Sequence, residues 1–180
     1  MSRTHGWSWI ALLVGLVVGL PAGIDARDAA APFTRVRGSG TEITGLIQRA
    51  YATSETFRTL VDDLQRSNAI VIVQSGFCSN RRFRSCLVHV EGNKLARSVR
   101  ILVDTRVDED RLMATIAHEL HHATELLSDT DVTDAAGVLR FYRRLAMGDC
   151  AQGASDVCET EGALAAEARV LDELRRPSRH

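Results

Sequence analysis

The stretch TIAHELHHATE, residues 115–125, decides the fold class and the chemistry that this chain can support. It contains the pattern H-E-x-x-H, with histidines four residues apart at His118 and His122. On an α-helix these positions lie about 40° apart and one turn along the axis, so both imidazoles can reach one metal ion. Glu119 can then accept a proton from metal-bound water. His121 is an alternative metal ligand at the i, i+3 spacing from His118, but the i, i+4 pair is favoured. His121 is then expected either to contact a ligand without binding the metal or to face a substrate.

The residues around this motif have the period of an amphipathic helix that begins after Asp108 and ends at Leu127. Asp108 is a favourable N-cap, and the acidic residues that follow it suit the first turn of a helix. The face opposite the histidines is apolar and is predicted to be buried; it comprises Leu112, Met113, Ile116, Leu120, Ala123 and Leu127. The histidines therefore lie on the polar face, which favours a metal site over a packing role.

A catalytic zinc ion needs a third protein ligand and an open position for water. Position 125 is Glu where the extended metzincin pattern has Gly, which excludes that arrangement. Glu125 shares the histidine face but lies almost two turns beyond His118, so it is expected to orient a histidine from behind. Glu159 and Glu161, at the start of the last predicted helix, are the alternatives. Glu159 is preferred, because a disulfide at Cys158 would fix its backbone.

The remaining segments predict an α+β fold. Helical spacing over residues 41–67, with a second start near Ser54, predicts one or two N-terminal helices. Three β-branched runs separated by turn residues predict a three-stranded antiparallel meander, with strands at Ala69–Val73, Cys86–Val90 and Val99–Val103. Two further helices are expected after the motif helix, at 133–146, capped by Asp131 or Thr133, and at 159–175. Residues 41–180 would form a single domain.

The first 26 residues have the features of a secretory signal peptide. Arg3 gives a basic start, Trp9–Leu20 is an apolar run, and small residues follow Pro21. The alternative is an uncleaved membrane anchor, but the run is shorter than the roughly 20 residues of a spanning helix. We therefore expect a periplasmic or secreted protein, in contact with a membrane only if this segment is retained. Residues 27–40, rich in Ala, Gly and Ser, predict a linker.

Four cysteines form two pairs with the same spacing, Cys78 with Cys86 and Cys150 with Cys158. In an oxidising compartment an even number of cysteines indicates disulfides. Of the three connectivities, the two local pairs are favoured because each closes a short polar segment, the first of them across the first predicted hairpin. A zinc site made of thiolates would need tighter spacings.

The overall charge excludes some classes of partner. The formal net charge is -1, which argues against nucleic-acid binding. A local basic cluster, Arg81, Arg82 and Arg84, is interpreted as a solvated turn, with binding of an anionic ligand as the alternative.

The chain resembles the gluzincin branch of the zincin metallopeptidases, and also small exported bacterial H-E-x-x-H proteins without an established activity. The resemblance rests on the order of the elements, the Cys pair in the first predicted hairpin, the H-E-L-x-H-A-x-E core and the E-T-x-x-A stretch at 159–163. It covers most of the chain from about Ser54 onward. It implies a Zn²⁺ ion bound by His118, His122 and Glu159.

The resemblance also implies hydrolysis of peptide bonds, with Glu119 as general base and a cell-envelope peptide or protein as substrate. An extended peptide is expected to pair with the edge of the strand at Val99–Val103. Unlike well-studied gluzincins, this chain has no Tyr or His after the third ligand in a suitable place to stabilise the oxyanion. The substitutes considered for that role are Tyr142, His121, Arg140 and Arg143.

Two other functions are open at the level of the sequence. The protein could be a zinc-stabilised envelope module without turnover, or a metal-free, disulfide-bonded binding domain whose histidines line a polar surface. Two His and one Glu accept several divalent ions, so the preference for zinc rests on the motif.

Overall fold

The computed structural model describes residues 33–145 and 159–176, which fold into four strands and five helices. Their order is β1 (Val36–Gly38), α1 (Thr41–Thr53), α2 (Glu55–Arg66), β2 (Ala69–Ser75), β3 (Ser85–Asn93), β4 (Ala96–Val103), α3 (Glu109–Ser128), α4 (Ala135–Leu145) and α5 (Glu161–Arg175). The mixed α+β class is confirmed. The predicted signal peptide and the predicted Cys150–Cys158 disulfide lie outside the described residues.

Side-chain caps set the boundaries of the helices. Ser54 Oγ accepts a hydrogen bond from Phe57 N (2.9 Å) and divides the N-terminal helical region into α1 and α2. Asp108 Oδ1 accepts from Arg111 N (2.9 Å) and begins α3, as the sequence predicted. The cap of α4 differs from the prediction: Asp134 Oδ1, and neither Asp131 nor Thr133, accepts from Gly137 N (2.7 Å).

The sheet has the strand order β1-β2-β4-β3, so the predicted antiparallel meander is wrong. β2 pairs in parallel with β1 and with β4, and only β3 and β4 form an antiparallel hairpin. Residues 76–84 connect β2 to β3, which lies at the outer edge of the sheet. The turn of the β3–β4 hairpin then places β4 between β2 and β3. β4 has the buried alternation of a central strand, with Val99, Ile101 and Val103 fully buried.

The turn between β3 and β4 depends on a glycine and an asparagine. Gly92 has φ +132°, and a Cβ at this position would lie 2.2 Å from Ala96 O. Asn93 Oδ1 accepts hydrogen bonds from the backbone amides of Leu95 (2.9 Å) and Ala96 (3.1 Å). The close approach of the two strands at Gly92 and the hydrogen bonds from the backbone amides to Asn93 together fix the register of this hairpin.

Two predictions about the edges of the fold are corrected. β1 lies within the stretch predicted as a linker; Val36 is 1 % exposed and pairs with Val71, so the folded part begins before Thr41. β4 is paired on both sides, so the predicted binding of a peptide at the edge of Val99–Val103 is wrong. The outer strand on this side is β3.

The disulfide between Cys78 and Cys86 is confirmed, with a Cα–Cα distance of 5.9 Å. Both cysteines are buried. The bond does not cross a hairpin, as was expected, because β2 and β3 are not paired. Instead it closes the long connection between β2 and β3, where the arginine cluster lies.

α3 lies at the centre of the molecule and contacts α1, α2, α5 and the strands β2, β3 and β4. All six residues predicted for its apolar face are buried: Leu112, Met113, Ile116, Leu120, Ala123 and Leu127. His118, Glu119 and His122 on the opposite face are also at most 6 % exposed. The motif is therefore enclosed by neighbouring elements. Within residues 33–145 and 159–176, no helix combines the length and the apolar character needed to cross a membrane.

Candidate metal centre

The structure brings together the three residues that the sequence analysis proposed as ligands. One donor atom each from His118, His122 and Glu159 lies within 4.8 Å of the others. Nε2 of His118 is 3.2 Å from Oε2 of Glu159, and the two imidazole rings meet edge to face at 4.8 Å. Donors that bind one zinc ion tetrahedrally lie roughly 3.3 Å apart, so a small contraction would complete the geometry.

Glu159 reaches the histidines because α5 begins after it. Thr160 is the N-cap of α5, with its Oγ1 accepting from Ala163 N (3.2 Å), so the helix starts at Glu161 and not at the predicted Glu159. The backbone of Glu159 is thus outside the helix, and its side chain turns towards His118. Glu161 is exposed and is not part of the group.

Glu125 lies behind His122, in the orienting position that its spacing predicted. Its Oε2 is hydrogen bonded to Nδ1 of His122 (3.0 Å), which leaves Nε2 of that ring for a metal. Burial raises the pKa of Glu125, but hydrogen bonds from His121, His122 and Thr160 outweigh burial and hold the pKa at about 2. Glu125 is therefore an anion that fixes the orientation of the ring.

Glu167, on α5, was not predicted and takes the corresponding place behind His118. Its Oε2 lies 3.2 Å from Nδ1 of His118, but the angle is not that of a hydrogen bond, and within the described part of the chain this buried Nδ1 has no hydrogen-bond partner. Burial lowers the pKa of His118, but Glu159 and Glu167 on its two sides raise it to about 10. The signal that could have found Glu167 is its position next to the buried stripe Ala163, Ala166 and Val170.

Glu119 is almost fully enclosed, with 4 % of its surface exposed. Its Oε1 accepts a hydrogen bond from Ser85 Oγ (2.7 Å) at the first residue of β3. Burial raises the pKa of Glu119, while His122, Ser85 and His118 oppose this effect. A carboxylate with a raised pKa is suited to accepting a proton. Ser85 was not predicted, because nothing in the local sequence indicates that β3 begins beside α3.

Of the groups considered for oxyanion stabilisation, only Tyr142 lies at the ligands. Its ring meets that of His122 edge to face at 5.7 Å, and the residue is 4 % exposed. Burial raises the pKa of Tyr142, and Glu125, Glu119 and Glu159 raise it further, so the hydroxyl stays protonated. Arg140 and Arg143 are exposed on α4, and neither lines the cleft onto which the ligand group opens.

His121 points away from that cleft, towards α5. A Cβ at Gly162 would lie 2.2 Å from Nε2 of His121, so the ring packs directly on the glycine backbone. The same Nε2 is 3.4 Å from Oε1 of Glu125. Of its two predicted roles, the position behind the ligands fits this geometry, and the substrate-facing position does not.

The ligand group opens onto a cleft of about 440 Å³. His118, Glu119 and Glu159 line it, together with Phe83 and Arg84 from the connection before β3, Ser85 at the start of β3 and Leu164 from α5. Imidazole nitrogens and a carboxylate oxygen are donors that zinc prefers, and the open side leaves room for water and substrate. The residues present therefore fit a catalytic type of zinc site.

No family model, no curated protein and no solved structure is significantly similar to this chain. The resemblance to gluzincins accordingly stays a prediction based on the motif. What the geometry defines is an α+β domain in which two histidines and a glutamate meet beside an enclosed glutamate, at the inner end of a cleft.

Proposed function

We propose that the protein is a zinc-dependent metallopeptidase that hydrolyses peptide bonds in the cleft above His118 and His122. The observation that carries this proposal is the position of Glu119. Its buried carboxylate, held by Ser85, directly adjoins a His/His/Glu group that opens to solvent. A purely structural metal site would be closed by a fourth protein ligand and would need no such neighbour.

When bound by His118, His122 and Glu159, zinc supplies Lewis acidity for a water molecule and for the scissile carbonyl. Glu119 accepts the proton of the attacking water and delivers it to the departing amine. Tyr142 is the candidate donor to the oxyanion, because its ring contacts that of His122 and its hydroxyl stays protonated, although Tyr142 does not line the cleft. Glu125 and Glu167 hold the two imidazole rings in position.

An extended substrate would pair with β3 and not with β4. β3 is the outer strand, and its first residue, Ser85, lines the cleft and contacts Glu119. Main-chain hydrogen bonds along this edge would align a peptide with the reactive groups. We also propose that the protein acts outside the cytoplasm, in the periplasm or as a secreted protein, which the Cys78–Cys86 disulfide supports.

The test combines metal analysis with a peptide-cleavage screen on the parent protein and Glu119→Gln. We expect the parent to bind zinc stoichiometrically and to cleave peptides. Glu119→Gln should keep the zinc but lose activity by about 10²- to 10⁴-fold, because only the proton acceptor is removed. Glu161→Gln, an exposed residue close to the third ligand, is the matched control and should behave as the parent.

Full activity in Glu119→Gln would refute its role as general base. Failure of the parent to bind supplied zinc would contradict the metallopeptidase proposal and favour a metal-free binding domain. Zinc binding that stabilises the fold, without cleavage of any peptide, would favour a non-catalytic zinc-stabilised module.

A further inference from the structure

Three arginines border the outer part of the cleft. Arg82 and Arg84 lie on the connection between β2 and β3, and Arg111 lies in the first turns of α3. All three are exposed, whereas the metal-ligand candidate His118 and the neighbouring Glu119 are buried. A molecule that enters the cleft therefore passes guanidinium groups before it reaches the ligand group.

The positive charges of these arginines are only loosely compensated by the protein. Nη1 of Arg84 is 3.8 Å from Oδ2 of Asp104, but both oxygens of Asp104 are bound at 2.8 Å by Arg106. Nε of Arg111 is likewise 3.8 Å from Oδ2 of Asp108. Arg82 has no ion pair within residues 33–145 and 159–176. Long contacts of this kind leave the guanidinium donors available to an external anion.

The connection that carries two of these arginines is held in shape. The Cys78–Cys86 disulfide closes it at the base. Within it, Asn80 Oδ1 accepts from Arg82 N (3.1 Å), and Arg84 O accepts from Asp104 N (2.7 Å). Because the backbone is already ordered, a ligand that binds these side chains loses less conformational entropy than it would on a flexible loop.

Three glutamates lie around the ligand group at the other side of the cleft lining. Glu159 and Glu167 are each 3.2 Å from a nitrogen of His118, and Glu119 is the next residue along α3. Leu164, which is 52 % exposed, and Leu171 add apolar surface to the lining of the cleft. The guanidinium groups of Arg82, Arg84 and Arg111 therefore favour an anionic group of a substrate at their side of the cleft.

We propose that the cleft selects peptides that carry a carboxylate near the bond to be cut, and that Arg82 and Arg84 bind this carboxylate. A planar guanidinium matches a carboxylate in a bidentate geometry, whether the anion is an acidic side chain or the C-terminus of the peptide. This inference rests on the proposed peptidase function and adds the substrate class. It also makes the arginine cluster a binding element and not a solvated turn.

The experiment uses three degenerate octapeptide libraries with the same neutral core: one amidated and neutral, one amidated with an internal Glu, and one with a free C-terminal carboxylate. Binding is measured on zinc-loaded Glu119→Gln, which is designed to retain peptides, and cleavage is measured on the parent. We expect at least one carboxylate library to be favoured about tenfold or more, which corresponds to about 1.4 kcal/mol. The favoured library identifies the source of the carboxylate.

The same measurements are made with both arginines replaced, as Arg82→Gln/Arg84→Gln. We expect this double variant to lose the preference for a carboxylate library and to bind the neutral library as before. Arg81→Gln is the matched control, since Arg81 belongs to the same cluster but lies over the Phe77 ring at 5.1 Å and does not line the cleft. Zinc content and thermal unfolding of the double variant establish that it is folded. A preference that survives in the double variant would overturn the assignment to these arginines.

The outcomes separate this inference from the proposed function. Cleavage of all libraries at equal rates would overturn the substrate class and leave the peptidase proposal intact. Preferential binding of carboxylate libraries without any cleavage by the parent would support the recognition site and contradict the peptidase proposal. Binding of no library would overturn the inference.

Discussion

Each of the two histidines has a carboxylate behind its Nδ1 atom, but the two carboxylates come from different helices. Glu125 is on α3 itself, one turn from His122, and its distance to that ring is set by the helix geometry. Glu167 is on α5, so its approach to His118 depends on how α5 packs against α3. The orientation of His118 is therefore the more sensitive of the two to changes in tertiary structure.

At the residue scale, Glu167→Gln should weaken zinc binding by about 10- to 100-fold, because His118 loses the charged group that orients it. The dissociation constant is measured by competition with a chelator. Glu161→Gln, on the exposed side of the same helix, serves as the comparison and should bind zinc as the parent does. Equal affinities in the two variants would show that Glu167 does not act on the ligand.

The local sequence could predict His118, Glu119 and His122, because the i, i+4 relation is a property of the helix alone. The preference for Glu159 over Glu161 agrees with the geometry, since the two residues lie on opposite sides of the cap at Thr160. Ser85 could not be predicted in the same way. Its contact with Glu119 exists only because β3 begins beside the middle of α3, which is a tertiary relation.

At the scale of elements, the C-terminal end of α3 is held by a buried arginine from β4. Arg97 is 5 % exposed, and its guanidinium donates to the carbonyl oxygens of Leu127 (2.7 Å) and Asp129 (2.7 Å) and to Oδ1 of Asn68 (2.9 Å). A cation at this end of a helix satisfies carbonyls that have no partner inside the helix and complements the helix dipole. Arg97 thus links the sheet to the helix that carries the motif.

Arg97→Met should lower the free energy of unfolding by about 2 to 4 kcal/mol, because the carbonyls lose a charged donor while the apolar stem of the side chain is kept. Chemical denaturation of the two proteins measures the difference. Arg100→Met tests an exposed arginine on the same strand, and its effect should be small. A similar loss in both variants would mean that the end of α3 does not depend on Arg97.

The elements themselves were largely predictable, but their arrangement was not. Three β-branched runs separated by turn residues predicted β2, β3 and β4. The order of the strands depends on contacts between residues far apart in the chain, and in this sheet β4, and not β3, is the neighbour of β2. The same limit applies to α3: the sequence predicted its polar face but not that Ser85 of β3, Tyr142 of α4 and Glu167 of α5 would contact the motif there.

At the scale of the whole molecule, α5 is joined to the N-terminal helices through Glu173. Its carboxylate accepts from Ser54 Oγ (2.5 Å), from Thr56 Oγ1 (2.6 Å) and from Thr56 N (3.1 Å). Burial raises the pKa of Glu173, but these hydrogen bonds outweigh burial and hold the pKa below its ordinary value. The contact connects residues far apart in sequence and closes the helical layer around α3.

The sign of the pH dependence follows from this lowered pKa. The unfolded chain binds the proton of Glu173 more tightly than the folded chain, so stability rises with pH. The contribution is fully present above the unfolded pKa of about 4.3 and is lost as the pH falls through the folded value. Glu173→Gln should therefore reduce the free energy of unfolding by about 1 kcal/mol at neutral pH, and by less in acid.

Urea denaturation at several pH values between neutral and acid measures this difference. Glu42→Gln, an exposed residue of α1, provides the reference curve. A Glu173→Gln difference that does not shrink in acid would contradict the assignment of the effect to the charged carboxylate.

β4 is synthesised after both of the strands that flank it, so the sheet cannot be completed in the order in which the chain is made. The β3–β4 hairpin joins residues that are close in sequence, whereas β2, which pairs with β1 on one side, gains its second neighbour from a later part of the chain. The group of His118, His122 and Glu159 depends on a still later segment, because Glu159 follows the whole of α4 and directly precedes α5. The centre therefore cannot assemble on α3 alone: it requires the segment that opens α5 to pack against the helix that carries the histidines.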